Sequence, residues 1–184
     1  MSQTTPNIPN MTKNADELHW FIAYVKTCCE HKAGELFVKL GYETYLPCRR
    51  EVHQWSDRKK IVERLVLPHM IFVHTTEAGR VESLKLNPYL NCYMSKGMGP
   101  YAPAIVRDEE MRTFRAMVDY GGESFAITTE NLAPGDRVRV VAGPLEGHEC
   151  ELVSVNGRKC IASRLGILGA AVVEISTEYL RKIQ

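Results

Sequence analysis

Apolar residues along the chain come in short runs of two kinds, some with both faces of an extended strand apolar and others spaced every three or four positions. His19 to Val25 (HWFIAYV) reads as a strand with Trp20, Ile22 and Tyr24 on one face and Phe21, Ala23 and Val25 on the other. Because neither face is polar, this strand is expected in the middle of its sheet. Thr27 followed by Glu30 has the spacing of a capping box, Ala33, Leu36, Phe37 and Leu40 form a helical stripe, and Gly41 stands where a C-terminal cap belongs. A helix of about three turns is predicted there. Thr44 to Val52 and Ile61 to Val73 are two further strand-like runs, and the polar segment His53 to Lys60 between them predicts a long antiparallel hairpin with a basic tip. A second helix is predicted over Glu77 to Lys85, capped by Thr75 or Thr76 and stopped by Asn87-Pro88, with a fourth strand over Leu90 to Ser95.

The order β-α-β-β-α-β is the split βαβ, or ferredoxin-like, arrangement. A third helix is predicted from Asp108, whose carboxylate caps it while Glu109 and Glu110 complement the helix dipole, to about Asp119. Tyr120 to Ala133 contains Gly121-Gly122 and little apolar periodicity, so it reads as a linker. Beyond it the texture changes to β-branched runs at Arg137 to Val141, Glu151 to Val155, Lys159 to Ala162 and Val172 to Ile175. Gly143-Pro144, Asn156-Gly157 and Gly166 to Gly169 separate them, which predicts a small SH3-like β-barrel. The expected fold class is therefore α+β: a flexible tail over 1–17, a ferredoxin-like domain over 18–120, a linker over 121–133 and a barrel over 134–184.

Composition narrows the function. With 45% apolar residues the chain packs as a globular protein, and a formal net charge of +1 is too small for a protein that holds nucleic acid by charge alone. Any nucleic-acid contact is expected to be local. Met1 to Glu17 carries no basic start or apolar core of an export signal, and the longest apolar or small-residue run, Ile167 to Val173, is far short of the roughly 20 residues a membrane span needs. A soluble, cytoplasmic monomer is expected. Cys28, Cys29, Cys48, Cys92, Cys150 and Cys160 form no CxxC pair, so free and mostly buried thiols are expected.

Gly135-Asp-Arg-Val-Arg-Val-Val-Ala-Gly-Pro-Leu-Glu-Gly147 closely resembles a KOW motif. Trp20-Phe21-Ile22, then Pro47, then Leu67-Pro68-His69-Met70-Ile71-Phe72-Val73 recur in the order and spacing of the N-terminal domain of NusG-type transcription factors. The chain resembles the NusG/RfaH family over nearly its whole length, as a specialised paralogue similar to the UpxY-type transcription antiterminators of capsule polysaccharide loci. The resemblance implies a transcription elongation and antitermination factor, not an enzyme and without a cofactor. Such a factor sits on the clamp of an elongating RNA polymerase and suppresses pausing or termination at a specific operon.

By the same resemblance Tyr24, Leu67, Met70 and Phe72 receive the β′ clamp helices, with Met70 where the family often has Tyr. An open apolar surface gives a modest interface its affinity; the alternative is that the four are simply core. Lys26 and Lys39 match positions that read non-template DNA in specialised paralogues, or are solvated lysines. Arg49, Arg50, Arg58, Lys59, Lys60 and Arg64 on the hairpin are placed to follow DNA phosphates, or form a charged strand edge that resists aggregation. A contact with the polymerase gate loop is sought around Arg80 and Ser83, because His74-Thr75-Thr76 falls several residues early. The barrel, tethered and available, is expected to recruit ribosomal protein S10 or Rho. Cys150 stands where the family usually has Gly, so the second barrel strand is expected to start differently. The density of Val and Ile favours strands there over an RfaH-like refolding into helices.

Other readings compete less well. Cys28, Cys29 and His31 fit no zinc spacing, so no metal site is expected. A thiol nucleophile at a helix N-terminus lacks an orienting constellation, and adjacent Glu109-Glu110 is helix-start charge. A KOW-containing RNA- or ribosome-binding protein is the alternative function, against which the near-neutral charge counts.

Overall fold

The computed structural model describes residues 17–54, 59–97, 102–129, 132 and 135–183. The expected tail, apart from Glu17, and Arg58 lie outside them. The first part of the chain runs β1 (His19–Val25), α1 (Glu30–Lys39), β2 (Glu43–Tyr45), β3 (Cys48–Gln54), β4 (Lys59–Leu65), β5 (Met70–Thr75), α2 (Glu77–Leu86), β6 (Leu90–Tyr93), β7 (Ile105–Val106) and α3 (Asp108–Tyr120). The antiparallel main sheet has the order β2-β5-β1-β6, with β7 also on β1. The strand with two apolar faces is central, as its pattern predicts.

The two long strands expected around the hairpin are each broken in two. Pro47 separates β2 from β3 and Pro68 separates β4 from β5; proline has no N–H to give to a ladder. β2 and β5 stay in the main sheet, while β3 and β4 form a separate ribbon in register from Cys48↔Leu65 to Gln54↔Lys59.

The expected capping box of α1 does not form. Cys29 is the N-cap with no side-chain cap, and the buried Glu30 carboxylate instead accepts the His69 backbone N–H at 3.0 Å. At α2 the cap is Thr76, whose Oγ1 accepts the Gly79 N–H at 3.1 Å. At α3, Arg107 rather than Asp108 occupies the N-cap position, and the Glu110 carboxylate accepts its backbone N–H at 3.2 Å.

Alternating residues of β1 and β5 feed two cores. Phe21, Ala23, Val25, Ile71 and Val73 pack with Ala33 and Phe37 of α1. On the opposite face Trp20, Ile22 and Phe72 pack with Met111, Phe114 and Met117 of α3.

That second core does not stop at α3. Val138, Val140, Leu145, Ile161, Leu165, Ala171 and Val173 belong to the same cluster, and they come from the second part of the chain. This part consists of β8 (Ala126–Thr128), β9 (Asp136–Val140), β10 (Glu149–Val155), β11 (Arg158–Arg164), β12 (Ala170–Glu174) and β13 (Leu180–Lys182), ordered β13-β9-β10-β11-β12-β8. The expected freely tethered barrel is thus corrected: here it is docked on α3, and β8, inside the expected linker, pairs with β12. Within the KOW-like segment Val138 and Val140 point inward. Gly147, at φ +85, lets the chain fold back so that its N–H reaches the Val140 carbonyl at 2.8 Å.

Candidate functional site

The segment that carries the expected docking residues is held by backbone hydrogen bonds at both ends. Val66 N–H donates to Pro47 O at 2.8 Å, and His69 O accepts from Val25 N–H at 2.8 Å. His69 itself has φ +64, and its N–H is the one taken by Glu30. The turn Val66–His69 is therefore fixed against both β1 and α1, and it sets where Leu67 and Met70 lie.

In the register of β1 on β5, Tyr24 faces Met70 and Ile22 faces Phe72. Tyr24, Leu67 and Met70 are half-buried at the margin of the core shared with α3. Phe72 is not part of any surface: its exposure is 0%, with the Phe114 ring 5.5 Å and the Tyr45 ring 6.3 Å away between centroids. The expectation that Phe72 is open is corrected, because α3 covers that part of the sheet.

Two residues beside this margin were missed by sequence reasoning. The Arg115 guanidinium lies 4.5 Å from the Trp20 ring and 4.9 Å from the Tyr45 ring, and it pairs with Glu43 at 3.4 Å. Burial pushes the Tyr45 hydroxyl above its ordinary range. No local pattern marks either residue, since their partners are distant in sequence.

The basic candidates are distributed unevenly. Lys26 and Lys39 are exposed, Lys39 in the last turn of α1 where it complements the dipole. Arg49 is half-buried: its guanidinium donates to the Gly122 carbonyl and lies 5.6 Å from the Phe125 ring, so it holds the chain leaving α3. Arg50 pairs with Glu63 directly across the ribbon at 3.7 Å and Arg64 reaches diagonally to Glu51 at 3.6 Å, both in solvent-exposed pairs. Lys59 and Lys60 belong to β4. Exposed pairs of this kind contribute little to stability.

Arg80 and Ser83 do not form the free surface expected of a gate-loop contact. The Arg80 guanidinium lies 5.8 Å from the Phe21 ring and 5.5 Å from the Tyr93 ring, with its Nε donating to Glu77 at 2.8 Å. Ser83 is fully buried and shares a 2.8 Å hydrogen bond with the Tyr93 hydroxyl, whose pKa burial pushes up to about 12.

At the junction of α3 and barrel, polar contacts ring the apolar centre. Ser163 Oγ donates to Glu110 O at 3.1 Å, and Thr113 Oγ1 lies 3.4 Å from His148 Nδ1. Burial, then the nearby Arg112, lowers the pKa of His148. Cys150 joins the core here, and burial pushes its thiol up to about 12. The strand that the sequence pattern puts at Glu151 to Val155 starts at Glu149 and takes Cys150 in as a packing residue.

Residues 18–115 match the family model described as "Transcription termination factor nusG", and residues 134–175 match the KOW motif. The chain belongs to the NusG family. It is 16% identical to the Thermotoga maritima NusG structure titled "Domain interaction in Thermotoga maritima NusG". That match covers 91% of this chain and 98% of that one, with a TM-score of 0.45. The MjSpt4:Spt5 complex is 15% identical in conformation A, over 90% of this chain and 98% of that one (TM-score 0.29). In conformation B it is 14% identical, over 90% and 97% (TM-score 0.28). Comparison with curated proteins gave no match.

NusG-family proteins are non-enzymatic transcription factors that bind RNA polymerase and related factors. This NusG-family chain is accordingly a transcription elongation factor in kind. Its thiols are less buried than expected: Cys150 and Cys160 are buried, Cys29 and Cys48 half-buried, and Cys28 and Cys92 exposed, all six free. Burial, then the adjacent Glu63 carboxylate, raises the pKa of the Cys48 thiol. Glu109 is exposed on the first turn of α3 and Glu110 is used in capping it. Among the described residues no helix is long and apolar enough to cross a membrane.

Proposed function

We propose that this NusG-family protein is an elongation and antitermination factor of bacterial RNA polymerase, acting in the cytoplasm at a specific operon such as a polysaccharide locus. It docks on the β′ clamp helices through Tyr24, Leu67 and Met70, with Phe72 as the buried floor beneath them. The basic side chains Lys26, Lys39, Arg50, Arg58, Lys59 and Lys60 follow DNA phosphates, and Arg49 joins them once it leaves Gly122. The barrel recruits a second partner such as ribosomal protein S10 or Rho.

The observation that carries the reading is the half-buried state of three apolar side chains on one rigidly held turn and strand pair. Apolar groups that are neither sealed nor scattered are what a docking surface requires. Phe72→Asp would place a charge in the core and would confuse folding with binding, so the informative variant is Tyr24→Asp combined with Met70→Asp. In a pull-down with core RNA polymerase, this double variant is expected to lose retention by about 30-fold or more, the loss of one interface hot spot. Its circular dichroism spectrum is expected to match that of the parent. Undiminished retention would remove the clamp assignment.

A further inference from the structure

We propose that His31, Cys48 and Glu63 form a zinc-binding site that ties the first turn of α1 to the base of the β3–β4 hairpin. The three residues come from three separate elements, and one donor atom of each lies within 4.8 Å of the other two. A tetrahedral zinc ion with bonds of about 2.0–2.3 Å holds its donors roughly 3.5 Å apart. His31 and Glu63 are exposed and Cys48 is half-buried, so the two exposed side chains have room to turn toward an ion held by the thiolate.

The backbone already prepares this arrangement. Cys48 pairs with Leu65 and Arg50 with Glu63, so Cys48 and Glu63 are diagonal neighbours on one face of the ribbon. His31 follows Glu30, whose carboxylate is fixed on the His69 N–H, and this holds the start of α1 in place. A cleft of about 500 Å³, lined by Cys48 and Glu63 together with Arg49, Arg50 and Asp119, opens beside the two ribbon donors.

The donor chemistry selects the metal. One thiolate and one imidazole favour zinc over magnesium or calcium, and three protein ligands leave a fourth position for water. Thiolate and carboxylate together carry two negative charges, which a divalent ion neutralises. Arg50, 3.7 Å from Glu63 and largely exposed, is held too weakly to keep the carboxylate from the ion. The ion would brace the hairpin base that bears Arg49 and Arg50.

The test titrates reduced full-length protein with Zn²⁺ in competition with a chromogenic chelator, and with Co²⁺ while recording the thiolate-to-cobalt charge-transfer band. One ion per chain is expected, together with that band and a rise in thermal midpoint on adding zinc. Cys48→Ser is expected to abolish the band and the thermal shift, and His31→Ala and Glu63→Gln to weaken binding by about tenfold or more. Glu63→Gln alters only an exposed side chain, so it remains decisive if Cys48→Ser folds poorly. Cys28→Ser combined with Cys29→Ser is expected to change nothing. Absence of binding would overturn the proposal. So would a band that survives Cys48→Ser, unweakened binding in Glu63→Gln, or binding lost with Cys28 and Cys29, the last marking adventitious capture by those thiols.

Discussion

Phe114→Ala is expected to lower the unfolding free energy by about 3–5 kcal/mol, the usual cost of emptying a buried phenylalanine site. The ring has no exposure and stands where three parts of the chain meet. Its centroid lies 5.5 Å from Phe72 and 6.0 Å from Tyr45 on the main sheet, and 6.5 Å from Phe125 on the way to the barrel. It also belongs to the cluster that includes Ile161, Leu165 and Ala171 of the barrel side. The loss is therefore expected in both halves, read as a lower urea midpoint together with faster amide exchange at Ile161 and Ala171. Phe114→Leu keeps most of the volume and is expected to lose less. Unchanged exchange in the barrel would mean that the two halves fold independently, despite their shared core.

Gly169→Ala is expected to cost at least about 2 kcal/mol and to free β8 from the barrel. Gly169 has φ +96, which an L-residue adopts only at a cost of roughly 1–2 kcal/mol. A Cβ there would also lie 2.1 Å from the Thr128 carbonyl oxygen and 3.0 Å from the Thr129 Cα. Both contacts are backbone, so the overlap is relieved only by moving the strand that pairs with β12. Loss of amide protection over Ala126–Thr128 ahead of the rest of the barrel is the expected signature. Uniform protection with an unchanged thermal midpoint would show that the close approach is not obligatory.

Much of this architecture was legible because alternation and helical spacing are local. The two apolar faces of β1, the lengths of α2 and α3 and the inward Val138 and Val140 all follow from neighbours a few residues apart. The breaks at Pro47 and Pro68 were legible too, had the missing proline N–H been weighed against the apolar pattern. Phe125 and Ile127 alternate as a strand does, but the preceding Gly121-Gly122 concealed them as linker. The burial of Phe72 was a different matter: periodicity puts it on the face of Ile22, yet what covers that face is a helix more than thirty residues away. The commitments of Arg49, Arg80 and Arg115 likewise depend on partners that only the fold brings near. So does the meeting of His31 with Cys48 and Glu63.

The docking assignment is tested most directly by placing a photocrosslinking amino acid at position 70 of the full chain and assembling it into an elongation complex with RNA polymerase. The account predicts adducts on the β′ clamp helices, and none when the same probe replaces the exposed Val81 of α2. Adducts elsewhere on the enzyme from position 70, or equal yields from both positions, would contradict it.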